Sequence, residues 1–144
     1  MSNNEQQITN NTIVSLTNVS IFQQQNMVLD EVNLKIDRGE FCYLIGKTGS
    51  GKSSLLKTLY GDLVFKNGNG QVAGFDLSKL NRQSIPMLRR KLGIVFQDFN
   101  LLEDRTVGEN LDFVLQATGW KDAAERKNRI NDILTDVGLF HKSF

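Results

Sequence analysis

The sequence predicts an α/β fold, and three patterns in its 144 residues support this class. Alternating apolar and polar residues near the start indicate strands with one buried face. An uninterrupted apolar run at residues 41–45 leads into a glycine-rich loop and then a helical pattern, the order of a strand, loop and helix unit. The last third of the chain carries helical spacing and helix caps. A single core is expected, because the chain is too short for two full domains.

Composition excludes several classes of protein. Hydrophobic residues make up 40% of the chain, and 17 basic and 16 acidic side chains leave a net charge of +1. Such a balance provides no broad field for nucleic acid, so no nucleic-acid partner is expected. The longest apolar runs reach about five residues, against the roughly 20 that a membrane-spanning helix needs. No basic residue precedes Lys35, which argues against a secretory signal and predicts a cytoplasmic protein.

The first part of the chain is predicted to form strands. Residues 1–12 are polar and are expected to be a flexible tail. Residues 13–22 and 32–37 alternate apolar and polar side chains, which indicates two half-buried strands. After a turn at Arg38 and Gly39, residues 41–45 have the pattern of a central parallel strand that is covered on both faces.

The middle of the chain mixes helices and strands. Leu55, Leu56 and Leu59 recur at helical spacing, and Gly61 suits the end of that helix. The asparagine and glycine residues at 67–70 predict a turn before a short strand at residues 72–75. Pro86 suits the start of a helix through residues 87–91, and residues 92–96 are predicted to be a second buried strand.

The last third is predicted to be helical. Thr106 and Glu109 have the spacing of a capping box, and the helix that they begin is expected to end near Gly119. A second helix from about Lys121 to Gly138 carries one apolar face, formed by Ile130, Ile133, Leu134 and Val137. The expected organisation is therefore a tail over residues 1–12, a core over residues 13–97 and a helical part over residues 98–144.

The glycine-rich loop matches the phosphate-binding pattern G-x-x-x-x-G-K-[ST] at residues 46–53, between the predicted strand and helix. Glycines let the backbone N–H groups approach phosphate oxygens, and the helix N-terminus adds partial positive charge. Lys52 is expected to contact the β- and γ-phosphates, and Ser53 to bind Mg²⁺. ATP and Mg²⁺ are the expected ligands. The expected nucleotide-binding residues of this loop are Gly46, Lys47, Thr48, Gly49, Ser50, Gly51, Lys52, Ser53 and Ser54.

From about Ile13 to its last residue the chain resembles the ATP-binding subunit of ABC transporters. Phe22 stands where that family carries an aromatic residue, more often Tyr, that stacks on adenine; a Phe that merely ends a strand is the alternative. Residues 94–98 resemble the family's Q-loop. The resemblance implies that Gln97 contacts Mg²⁺ and the attacking water, which makes Lys52 and Gln97 the expected catalytic residues. A solvated loop glutamine is the alternative interpretation of Gln97.

Within that family, residues 86–93 and 96–107 are most similar to the cell-division branch, while lipoprotein-release and macrolide-export ATPases share parts of the pattern. The basic residues Arg89, Arg90 and Lys91 alone are more typical of a solvated helix face than of a docking surface. The resemblance implies an integral membrane subunit as partner and a second ATP-binding subunit in a homodimer. It also implies a cytoplasmic protein held at the inner face of the cell membrane through its partner.

The resemblance implies a P-loop NTPase core of the RecA-like type, with an antiparallel β portion at the N-terminus and the start of a helical subdomain. The family's acidic strand and glycine-rich signature are not found in the sequence, since none of the 12 glycines is adjacent to another. The chain is therefore expected to be a truncated ATPase that binds nucleotide weakly and does not hydrolyse it alone. Two alternatives are a non-catalytic nucleotide-binding remnant and a different P-loop phosphotransferase such as a small kinase.

Overall fold

The computed structural model of the chain describes residues 11–140. The predicted flexible tail lies outside the described residues, except that Asn11 is in a turn and Thr12 begins the first strand. The chain forms two compact units that divide between Gly93 and Ile94. The functional boundary after Gln97 stays a prediction.

An antiparallel sheet is the frame of the first unit. Within residues 11–140 it has five strands: β1 Thr12–Gln23, β2 Asn26–Asp37, β3 Phe65–Lys66, β4 Asn69–Val72 and β5 Phe75–Asp76. β1 pairs with β2 along one edge and with β3 and β4 along the other, and β5 pairs with β4. Both strands predicted at the start of the chain are confirmed, and β2 begins earlier than predicted because it forms a hairpin with β1.

The β1–β2 hairpin contains two irregular positions that one side chain connects. Asn18 and Glu31 have φ of 51° and 48°, in the left-handed region that residues other than glycine seldom adopt. The Asn33 carboxamide accepts a hydrogen bond from the Asn18 N–H at 3.0 Å and donates one to the Glu31 carbonyl at 2.8 Å. These bonds occupy backbone groups that the bulged ladder leaves outside its regular pairing.

The core of the first unit lies between this sheet and three short helices. They are α1 Lys52–Leu59, a 3₁₀ helix Leu77–Lys79 and α2 Ser84–Arg89. The buried apolar side chains that form the core are Leu16, Val19, Ile21, Leu55, Val72, Leu77 and Leu88. Burying each such side chain contributes about 1.5–3 kcal/mol relative to leaving it in water, so this cluster stabilises the unit.

The predicted turn and strand at residues 67–75 are wrong in their placement. Asn67 and Gly68 do adopt positive φ, of 59° and 70°, but the chain does not reverse there, because β3 and β4 both run along β1. The reversal comes at Ala73 and Gly74, with φ of 49° and 84°, in the middle of the predicted strand. Two successive residues with positive φ suit a two-residue hairpin, which overrides the apolar run around them.

The two predicted buried strands at residues 41–45 and 92–96 are also wrong. No strand forms at either run within the described chain, and Phe41, Ile45 and Val95 are exposed by 81%, 88% and 87%. A buried strand needs a hydrogen-bonding neighbour and covered faces, which its own sequence cannot supply. All pairings of the described sheet are antiparallel and involve β1 or β4, so neither run has a place in it.

The second unit contains two helices, α3 Val107–Ala117 and α4 Ala123–Asp136. The predicted capping box is confirmed: the Thr106 hydroxyl accepts from the Glu109 N–H at 3.2 Å, and the Glu109 carboxylate accepts from the Thr106 N–H at 2.8 Å. Of the predicted apolar face of α4, Ile130 and Leu134 are buried, while Val137 is exposed. No helix between residues 11 and 140 is both long enough and apolar enough to cross a membrane.

Arg126 joins α3, α4 and the turn between them. Its Nε donates to the Asp112 carboxylate at 2.6 Å, and its Nη1 donates to the carbonyls of Trp120 and Lys121 at 3.2 and 2.9 Å. The hydrogen bond from Arg126, followed by one from Gln116, lowers the pKa of Asp112 below its ordinary value of 3.8. A single guanidinium therefore closes the helical hairpin.

Asp112→Asn should lower the melting temperature at neutral pH, because it removes the charge that Arg126 binds. The pKa of Asp112 is lower in the folded chain than in the unfolded chain, so its pairing with Arg126 stabilises the fold at pH values above the unfolded pKa. This stabilisation is lost as the pH falls through the pKa of the folded chain. The difference between variant and parent should therefore narrow below pH 3.8. Thermal melts followed by circular dichroism at neutral pH and below pH 3.8 test this, with Asp132→Asn, at an exposed position of α4, as the control. Equal melts of the two variants at neutral pH would contradict the role of Asp112.

Gly68→Ala should destabilise the chain by about 1–3 kcal/mol more than Gly74→Ala, because added atoms in a filled site force the backbone to shift. Both glycines have positive φ, so placing alanine in a left-handed conformation costs a similar free energy in the two variants. A Cβ at Gly68 would overlap the carbonyl oxygens of Thr17 and Asn18, whereas a Cβ at Gly74 would meet nothing within 4 Å. Urea unfolding of both variants measures the difference, and equal midpoints would show that Gly68 is not in close contact with β1.

Candidate functional site

The predicted phosphate loop follows the exposed run at residues 41–45 and continues into the first turn of α1. Residues 46–50 are exposed, Gly51 is the N-cap, and Lys52 is the first residue of the helix. The Ser50 N–H donates to the Lys47 carbonyl at 3.1 Å, and the Leu55 N–H donates to the Gly51 carbonyl at 2.9 Å. The loop curves back on itself between Lys47 and Ser50, and Ser54, the last of the nine predicted residues, is buried.

Lys52 reaches back across the loop. Its ammonium donates to the carbonyls of Gly46 and Lys47 at 2.7 and 2.8 Å, so the charge lies inside the curve of the backbone. An ammonium has three donors and can exchange carbonyl oxygens for the more basic oxygens of a phosphate. The Lys52 ammonium therefore lies against the backbone of the loop, and its contact with a phosphate stays a prediction.

The backbone of the loop turns through left-handed conformations. Gly49 and Gly51 have φ of 82° and 87°, and a Cβ at Gly46 would lie 2.5 Å from the Ser50 hydroxyl oxygen. Left-handed residues in such loops are typical of nests, in which successive backbone N–H groups bind an anion. α1 has neither a side-chain cap nor an acidic residue in its first turn, so the positive end of its dipole is left for a ligand.

Phe22 lies near the end of β1, partly exposed, opposite Met27 of β2. The Lys66 ammonium lies 4.6 Å from the centre of the Phe22 ring, in a cation–π contact. The preceding strand pair, Ile21 with Leu29, lies next to the phosphate loop, because the Leu29 side chain lies beside Gly51. The hairpin therefore brings the ring and the loop to the same end of β2.

Two contacts of this site were missed by the sequence analysis. Neither the Lys66 ammonium on Phe22 nor the Leu29 side chain on Gly51 has a local signal, since each joins residues far apart along the chain. Only the register of β1 with β2 and β3 brings them together.

Gln97 belongs to the second unit, where it is exposed at the start of a turn that follows residues 94–96. Its predicted contact with Mg²⁺ and water stays a prediction. Residues 11–140 contain no group of three or more His, Cys, Asp or Glu side chains that could hold a metal ion. Ser53, exposed in the first turn of α1, offers one hydroxyl oxygen. This donor set fits a magnesium ion that is bound mainly by phosphates and water, as Mg²⁺ in nucleotide sites usually is.

Comparison with known proteins identifies the family. The family model described as ABC transporter matches residues 29–143. The cell division ATP-binding protein FtsE of Streptococcus pneumoniae serotype 2 is 36% identical over 124 residues, covering 86% of this chain and 54% of that protein. FtsE of Mycobacterium tuberculosis is 41% identical over 116 residues, covering 80% and 50%. The methionine import ATP-binding protein MetN 1 of Acinetobacter baylyi is 39% identical over 115 residues, covering 80% and 32%.

Solved structures of ATP-binding cassettes have the same fold. The dimeric post-hydrolysis state of the cassette MJ0796 bound to ADP and Pi superposes with a TM-score of 0.71 at 29% identity, covering 85% of this chain and 56% of that one. CbiO1 from Clostridium perfringens, part of the ABC transporter complex cbiONQ, gives a TM-score of 0.79 at 26% identity, covering 92% and 53%. The predicted P-loop NTPase fold class is confirmed.

The chain spans about half the length of the FtsE proteins that it matches. The family match nevertheless covers most of the chain, including the whole phosphate loop, and it sets aside the alternative of a small kinase. The chain belongs to the ABC transporter family of ATP-binding cassettes.

Proposed function

We propose that this chain is the nucleotide-binding part of an ATP-hydrolysing subunit of an ABC-type membrane complex. The observation that carries the proposal is the position of the Lys52 ammonium, which two loop carbonyls hold inside the curve of the loop at the uncapped start of α1. A cation, glycines in left-handed conformations and a helix N-terminus together suit the triphosphate of a nucleotide.

In this proposal each predicted site residue of the first unit has a defined role. The loop N–H groups and Lys52 bind the β- and γ-phosphates, with the ammonium leaving the Gly46 and Lys47 carbonyls for phosphate oxygens. The Phe22 ring stacks on adenine, and Ser53 holds the magnesium ion that accompanies the nucleotide. A magnesium ion bound there would supply neutralisation of charge on the phosphates. In the proposed reaction water attacks the γ-phosphorus and the bond to the bridging oxygen of the β-phosphate breaks, which gives ADP and inorganic phosphate. By family resemblance, Gln97 contacts that ion and the attacking water.

The whole protein is proposed to work with a membrane subunit and with a second copy of itself. Relatives named for cell division and for methionine import, and a cassette structure described as dimeric, support this. The resemblance at residues 86–93 and 96–107 favours the cell-division type. The protein would then lie in the cytoplasm, at the inner face of the membrane, through its partner.

The segment after Gln97 is the proposed contact for the membrane partner. Phe99 and Leu101 are exposed by 69% and 64%, and Phe99 and Asn100 both have positive φ, of 54° and 49°. The Asn110 carboxamide holds the end of this segment, accepting from the Leu102 N–H at 2.9 Å and donating to the Leu102 carbonyl at 3.0 Å. A strained, anchored turn with exposed apolar side chains suits protein contact.

Lys52→Ala should weaken ATP binding strongly, because a hydrogen bond to a charged group is worth about 1.5–3 kcal/mol. Ser53→Ala should act mainly when Mg²⁺ is present. Equilibrium binding of a fluorescent ATP analogue, with and without Mg²⁺, measures both effects. Lys57→Ala is the matched control, since Lys57 lies on α1 outside the loop and pairs with Asp62 at 3.8 Å. Unchanged affinity in Lys52→Ala would refute the phosphate site, and binding without turnover in the whole protein would favour the non-catalytic alternative.

Phe22→Ala should weaken ATP binding by about 1–3 kcal/mol, the usual cost of removing an aromatic ring on which a base stacks. Phe22→Tyr should bind ATP as the parent does, because the ring is kept. Inorganic triphosphate, which has no base, should bind all three proteins alike. Competition of each ligand with the fluorescent analogue gives the comparison. An equal loss of triphosphate affinity in Phe22→Ala would mean that the ring only supports β1.

A further inference from the structure

We propose that Leu29 is a positioning residue for the phosphate loop: its side chain supports Gly51 and so fixes the loop relative to Phe22. This inference rests on the proposed function, because it assigns a task to Leu29 in nucleotide binding. It concerns a residue that lies outside the phosphate-binding motif and that no motif of the sequence singles out.

The contact between β2 and the loop is close. A Cβ built on Gly51 would lie 2.8 and 3.0 Å from Cγ and Cδ2 of Leu29, and 3.1 Å from Cγ1 of Val28. These distances are shorter than van der Waals contact, so the side chains of Leu29 and Val28 fill the space beside Gly51 that a Cβ would need. The position is also the N-cap of α1, with φ of 87°, where the chain changes from loop to helix. A shift of Gly51 would therefore move both the loop and the helix N-terminus.

Leu29 is held from its other side by the core. Its strand partner, Ile21, is fully buried, and Leu29 itself is half-buried and packs against the apolar cluster of the first unit. Residues 46–50 of the loop, by contrast, are all exposed. Gly51 is thus the position where the exposed loop meets the buried core through Leu29.

The same strand also sets the position of the stacking ring. Met27 pairs with Phe22, and Leu29 lies two residues further along β2. The base end and the phosphate end of the proposed site are therefore joined through three successive residues of one strand. A nucleotide must contact both ends at once, so their spacing has to match its length. A site that already has this spacing spends less free energy on ordering when the nucleotide binds.

Leu29→Ala should weaken the binding of inorganic triphosphate and of ATP about tenfold, because a loosened loop must be ordered by the ligand. Leu34→Ala is the matched control. Leu34 has the same side chain on the same strand, packs against the same cluster and pairs with Leu16, away from the loop. It should lower the melting temperature to a similar extent while changing affinity less than about twofold. Titration with both ligands, with melts of both variants, gives the comparison.

Three results would overturn the proposal: unchanged affinity in Leu29→Ala, equal losses in Leu29→Ala and Leu34→Ala, or a loss confined to ATP while triphosphate binds normally. Leu29→Met, which keeps the volume of the side chain, should retain the affinity of the parent. If Leu29→Ala does not fold, Leu29→Val against Leu34→Val makes the same comparison with a smaller expected loss. Lys52→Ala, measured in parallel, separates the two proposals, because its failure to reduce triphosphate binding would refute the phosphate site itself.

Discussion

The first unit depends on β1 being paired along both edges. Its backbone forms hydrogen bonds with β2 on one side and with β3 and β4 on the other, so a strand of 12 residues joins segments that are distant in sequence. Three of the core side chains, Leu16, Val19 and Ile21, lie on this strand, and Phe22 follows them. Because buried backbone groups must be paired, any change that disturbs β1 would expose the core and displace the ring at the same time.

Local patterns made some of these elements predictable. The two long strands, α1 and the capping box at Thr106 follow from alternation, helical spacing and cap chemistry, which act within a few residues. The incorrect predictions of strands and turns concern segments whose structure depends on residues far away in the sequence. Residues 41–45 have the composition of a strand, but a strand exists only where another one pairs with it. Asn67 and Gly68 have turn chemistry, but β3 and β4 both pair with β1, so the two residues link successive strands instead of reversing the chain.

In the candidate site, too, local motifs could be predicted from the sequence and contacts between distant residues could not. The phosphate loop could be predicted because nine contiguous residues carry its chemistry, whereas the contact of Lys52 with phosphate stays a prediction. Phe22 could be identified only through the resemblance to a family, since one aromatic residue at the end of a strand has no specific pattern. Leu29 and Lys66 could not be found in either way, because their contacts depend on strand register.

The exposed apolar run at residues 41–45 has a consequence for how the chain behaves at high concentration. β2, at one edge of the sheet, carries a bulge at Glu31 and the charged side chains of Lys35 and Asp37, while β5 at the other end has only 2 residues. Bulges, charges and short length all oppose the addition of a foreign strand. Residues 41–45 have no charge, no proline and no glycine, and their side chains face water. Intermolecular β-pairing, and the aggregation that it nucleates, would therefore begin at this run rather than at the edge of the folded sheet.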